Sequence, residues 1–362
     1  MITAGAPPSS RLPSYLSFAY MLVVVVASLD PFTGWTDPPD GTPFFLFAPW
    51  PARLARIDLL TNVIAYFPLG FLLALRGQER RYLRRVFEAT ALSAALSFAM
   101  EAAQMYLPVR DASDVDLIAN SAGAALGAVI AGSIAGIRSA RAWARTLRAQ
   151  LFFGERAGDA ALALLLIWLA VQVNPAIPLF AVTFDPRPAL SFDVASMFLM
   201  AAQNAFHMIG VSLFVALLLK HRRYAGSAVL LLIGAALVLK GAAAGLLLKT
   251  PAWAQWLAPT VLLGIAGGAL ALLWLLSLSR PLQTVICAVS LLGAVMILLL
   301  TPDLWQAPAV LSRFDWPLSH LMNFNVTTRA VSIVWPIAAC FCLLALAGRA
   351  DWGATEPAGD HV

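Results

Sequence analysis

Two short segments of this sequence place polar chemistry at the mouth of an apolar helix. Asp58-Leu59-Leu60-Thr61-Asn62 opens one apolar run, and Asp116-Leu117-Ile118-Ala119-Asn120 opens another. A spacing of four puts each Asp and its Asn on one helix face. An Asp in the first turn meets the positive end of the helix dipole, and its oxygens can satisfy free N–H groups. Between the two segments, Glu101 and Gln104 lie three apart near the end of a further run, followed by a loop carrying Arg110, Asp111, Ser113 and Asp114.

These residues make a candidate ligand-binding site of Asp58, Asn62, Glu101, Gln104, Arg110, Asp116 and Asn120, with Arg53 and Arg56 just before the second run. Arginines beside carboxylates could take a phosphate directly, or through a divalent cation held by Asp111, Asp114 and Asp116. Glu101, if buried, could act as an acid or base. No metal and no cofactor is expected, because acids in a loop are usually just solvated. No nucleophile with an adjacent base stands out, so the catalytic assignment stays open. A carboxylate one turn inside hydrocarbon costs roughly 2–3 kcal/mol. Glu101 is therefore expected to face the bundle and to pair with Arg110 or a protonated neighbour. The structural alternative is ordinary capping together with hydrogen bonds between helices.

The elements that hold these residues follow from composition. Of 362 residues, 60% are hydrophobic and only 12% charged, about half the charged share of a soluble domain. That excludes a soluble enzyme, a secreted disulfide scaffold and a disordered chain. It predicts an all-α, polytopic transmembrane helical bundle. Apolar runs fall at roughly 14–29, 59–75, 86–106, 115–137, 159–173, 193–219, 226–248, 258–279, 282–301 and 328–347, about ten helices by a span of roughly 20 residues. With the N-terminus in the cytoplasm, sixteen Lys and Arg fall in inner segments and seven in outer ones, which favours N-in and C-in. The first run is read as a helix rather than a cleaved leader, since only Arg11 precedes it. The net charge of +5 sits between apolar runs, so no nucleic-acid partner is expected.

The domains read as a four-helix unit over 14–137, an Arg-rich linker over 138–157, a six-helix unit over 158–348 and a cytoplasmic tail over 349–362. Trp143, Leu147, Leu151 and Phe152 give the linker the spacing of an amphipathic surface helix; a charged linker that merely fixes topology fits equally well. In the six-helix unit, Gln203, Asn204 and His207 put three polar groups on one run, Lys240 is expected to snorkel outward, and Ser319, His320, Asn323, Asn325 and Arg329 form an outer polar patch. Cys287, Cys340 and Cys342 lie inside apolar runs and indicate no redox compartment.

Ser28-Leu-Asp-Pro-Phe32 with Trp35, Asp58 with Asn62, Tyr66-Phe-Pro68-Leu-Gly70, Glu101 with Gln104, then Arg110, Asp116, Asn120 and Gly123 stand in an order and spacing that resembles the VanZ-like family. The resemblance covers 14–137. It implies a bacterial inner-membrane protein of the cell envelope, linked by family to glycopeptide (teicoplanin) tolerance. The six added helices depart from that pattern. The expected function is binding of a lipid-linked or glycopeptide-related ligand at the outer leaflet, with membrane lipids and a lipid-linked envelope precursor as partners and the oligomeric state open. A lipid or precursor transporter and an intramembrane enzyme acting on a lipid phosphate are the alternatives. A polar path across the bundle would favour transport; a closed apolar plug beneath Glu101 would speak against it.

Overall fold

The structure is a computed structural model that describes residues 10–50, 56–76, 81–136, 138–153, 155–182, 187–188, 193–248, 254–302, 304, 306–307 and 324–348. Most of these residues are helical; the rest are connecting turns and loops, short 3₁₀ turns and one two-residue parallel pairing, Arg187–Pro188 with Gln306–Ala307. The helices are α1 (Leu12–Leu29), α2 (Arg56–Arg76), α3 (Tyr82–Gln104), α4 (Asp114–Gly136), α5 (Arg138–Leu151), α6 (Glu155–Val171), α7 (Val194–Leu218), α8 (Ala225–Leu247), α9 (Pro259–Leu275), α10 (Arg280–Leu300) and α11 (Phe324–Ala347). Eight of them, α1–α4, α7, α8, α10 and α11, are long and apolar enough to cross a membrane. The ten apolar runs all become helices. Two of these, α6 and α9, have only 17 residues, about 25 Å at 1.5 Å per residue. The protein is a multi-pass membrane protein.

The chain divides into two compact units, one built on residues 9–147 and the other on residues 148–315 and from 328 onward. In the first unit the two repeat helices, α2 and α4, run parallel and lie directly against each other. Their contact is set by glycine: a Cβ on Gly70 would overlap the Ala124 carbonyl, one on Gly123 the Val63 carbonyl, and one on Gly127 the Phe67 carbonyl. Removing the side chain lets two backbones touch, which suits helices that gain little from hydrophobic exclusion in lipid. Leu69, Leu73, Ala124, Ala128 and Ala131 fill the seam with Tyr66 and Val24. The Tyr20 hydroxyl ties α1 to α2 by donating to the Ala65 carbonyl at 2.8 Å. Pro68 removes one helical hydrogen bond inside α2.

In the second unit, α7 is the central rod, with every residue from His207 to Leu218 buried. It begins at an Asp193 cap that accepts from the backbone N–H groups of Ala195 and Ser196. Gly264 of α9 meets the Asn204 side chain and the Ala201 carbonyl, and Gly210 of α7 meets Leu291 of α10. The segment 174–182 after α6 is not helical, yet all of it is buried. Its polar backbone must then find partners inside the protein. The linker resolves into a surface helix, α5, whose Trp143 is exposed. Its Arg148 pairs with buried Asp159 at 2.5 Å.

Candidate functional site

Four helix ends meet at one end of the first unit: α1 and α3 finish there, and α2 and α4 begin there. The tight α2–α4 seam brings the two halves of the repeat into contact. Asn62 Nδ2 of the first half donates to Asp116 Oδ1 of the second at 2.5 Å. The reciprocal pair is not made. Asn120 instead donates to Ser97 Oγ on α3 at 2.9 Å. Both amide oxygens, Asn62 Oδ1 and Asn120 Oδ1, are buried with no partner among the described residues. Glu101 is 3% exposed and accepts from the Ser113 backbone N–H at 2.9 Å. Asp116 lies within electrostatic reach of Glu101, and Tyr66 sits beside Ser97 and within reach of Glu101.

Two expected members of the site hydrogen-bond to carbonyls at the end of α1. Gln104 donates to the Ser28 carbonyl at 3.0 Å. Arg110 donates to the Ala27 carbonyl at 3.1 Å and to the Asp30 carbonyl at 2.8 Å and 3.2 Å. The expected Glu101–Arg110 pair is therefore corrected: among the described residues no ion pair reaches Glu101. The physical reason is the end of α1. Its last carbonyls have no intrahelical donor and sit at the negative end of the dipole, so they hold the guanidinium. Burial pulls Arg110 down from its ordinary pKa, and the Asp30 carboxylate opposes that.

Asp58 stands in the first turn of α2 and is exposed, as is Arg56. Arg53 lies outside the described residues, as do Ser319, His320 and Asn323. No three His, Cys, Asp or Glu side chains among the described residues come together as a metal ion would need.

Ser93 and Ser97, both fully buried, escaped the sequence reading. They stand eight and four residues before Glu101, on the face that also carries Gln104, so extending the helix-face arithmetic backward would have found them. Ser113 gave no such signal, because its part is played by a backbone N–H.

Residues 9–135 match the model of the VanZ/LLP1 family. The chain carries an N-terminal VanZ-like domain. No curated protein and no solved structure matches the chain. The VanZ-like domain thus contains the whole polar cluster, and the matched residues end before α5 begins.

The arrangement is rich in acceptors and short of donors. Two carboxylates and two unpartnered amide oxygens are gathered on α2, α3 and α4, while the cation expected among them is spent on α1. Such a site suits a group that brings its own N–H or O–H donors.

The polar groups of the second unit are placed differently from expectation. Lys240 does not snorkel: it is 1% exposed, and its Nζ donates to the Asn174 carbonyl at 2.6 Å and the Ile177 carbonyl at 2.8 Å. The buried segment 174–182 supplies carbonyls that no helix satisfies, and these outweigh the pull of solvent. Gln203 donates to the Ala294 carbonyl at 3.0 Å. Asn204 is buried with neither side-chain polar atom partnered among the described residues. His207 turns its Nδ1 to the Phe180 carbonyl at 3.0 Å.

Proposed function

We propose that the VanZ-like domain binds the donor-bearing head of an envelope amphiphile, a lipid-linked glycan or a glycopeptide-related molecule, at the end where Glu101 lies. The observation that carries this reading is a carboxylate 3% exposed that meets one backbone N–H and no cation. An unpaired buried carboxylate is costly in a membrane bundle and marks a functional site by default. Sugar hydroxyls, amide N–H groups or an amine would supply the donors that Glu101, Asp116, Asn62 and Asn120 lack. A bare phosphate would not, because it offers only more acceptors. With the N-terminus inside the cell this end faces outward, in a bacterial cytoplasmic membrane. Such binding accords with a part in teicoplanin tolerance.

Below the polar cluster the seam of α2 and α4 is packed with Leu69, Ala124 and Ala128, all essentially unexposed. That plug speaks for a pocket and against a transport path through the four helices. Native mass spectrometry of the full chain with its co-purified lipids tests the reading. The wild type should retain an amphiphile with a glycan or amine head, and Glu101→Gln should lose it. The same bound lipid in both proteins would defeat the proposal.

A further inference from the structure

The second unit lies outside the family match, and it holds a partly open cavity of about 20 Å³. That volume holds about one water molecule. Lys240 and His207 both line it, at 1% and 3% exposure. Among the described residues they are its only titratable members: α6, the 174–182 segment and α11 contribute aromatic, aliphatic, amide and hydroxyl groups, and no acid.

The hydrogen bonds of these two side chains fix what remains. The Phe180 carbonyl can only accept, so the His207 Nδ1 facing it carries the hydrogen. The other ring nitrogen, Nε2, then holds a lone pair, and it is buried without a partner among the described residues. Two N–H bonds of Lys240 go to the carbonyls of Asn174 and Ile177. One position on Nζ is left over. A cavity the size of a water is therefore lined by two nitrogen bases whose other bonds are all spoken for.

We propose that Lys240 and His207 form a proton-binding site of the six-helix unit, joined through one water in this cavity. A proton arrives as hydronium: an N–H bond forms on Nζ or Nε2, an O–H bond breaks, and neutral water remains as the bridge. The site is tied to the only non-helical buried segment among the described residues, since the same two side chains hold its carbonyls at 174, 177 and 180. Proton occupancy thus bears directly on how that segment is fastened.

Proton counting on the full chain in nanodiscs of uncharged lipid tests this. A weakly buffered sample is taken from about pH 9 to about pH 5, an interval that brackets an ordinary histidine and excludes an ordinary lysine. The wild type should take up about one proton per chain more than Lys240→Met, and His207→Gln should move the pH at which that proton is taken. Coincident uptake curves for wild type and Lys240→Met overturn the proposal. A measurement without substitution at the site guards against a misfolded variant. The sequence has lysine only at 220, 240 and 249, so nitrogen-15 lysine spectra with Lys220→Arg and Lys249→Arg isolate Lys240. Its resonance should move together with that of His207 over the same interval, and a Lys240 signal that stays still throughout overturns the site.

Discussion

Arg110 and Glu101 lie close in sequence and have opposite duties. Arg110 closes the end of α1, and charge-assisted hydrogen bonds of that kind contribute about 1.5–3 kcal/mol. Arg110→Ala should therefore lower the thermal midpoint of the purified protein by that order of free energy. Arg110→Lys should recover only part of it, because one ammonium cannot reproduce the fork that reaches both Ala27 and Asp30. Glu101→Gln should leave the midpoint unchanged or raise it, since it replaces a buried carboxyl that meets no cation with an amide of nearly the same shape. It should act instead on bound ligand. A melt by circular dichroism, run beside the lipid analysis, separates the two. If Glu101→Gln destabilises as much as Arg110→Ala, then Glu101 is scaffold. The types and spacing of these residues were legible in the sequence. Which carboxylate would meet which cation was not, because the competing acceptors were main-chain carbonyls of α1 that no pattern of side chains announces.

Arginine at a helix end recurs as an element-level device. Arg280, at the start of α10, donates to the carbonyls of Leu219 and Lys220 at 2.7 Å and 3.0 Å, closing the end of α7 while lying over the Phe153 ring. Arg222 donates to the Leu276 and Leu278 carbonyls beyond α9. Several cations that count toward orientation therefore also bind helix ends. Arg280→Ala should cost about 1–3 kcal/mol, read as a lower midpoint in denaturant. The α2–α4 seam is the other element-level constraint. Gly123→Val places two methyl groups against the Val63 backbone and should destabilise by about 1–3 kcal/mol or prevent folding. Gly234→Val on α8, where nothing lies within 4 Å, should be mild by comparison. Protein yield and midpoint for the two variants check the contrast. The repeat and its glycines were visible in the sequence; that they form one seam depended on α2 and α4 being neighbours, which a linear pattern leaves open.

At the scale of the molecule, the VanZ-like domain has its own apolar core and its own polar cluster. A chain ending at residue 147 should accordingly insert, melt cooperatively and keep the amphiphile lost by Glu101→Gln. Loss of cooperativity in that melt would show that the second unit is needed for the first to fold. The bundle class was fixed by composition alone, because 60% hydrophobic residues exceed what a single water-surrounded core can hide. The buried segment 174–182 was hidden in the sequence, since Pro175, Pro178 and Phe180 read equally as an outer loop.

The duplicated hairpin has a geometric outcome of its own. Two parallel copies packed face to face imply twin half-seats related by an axis along the helices. Here one seat is filled from within, by Asn62 reaching across to Asp116, while Asn120 turns aside to Ser97 and leaves its counterpart Asp58 at the rim. The duplication is thus handed: this end of the bundle presents different neighbours left and right.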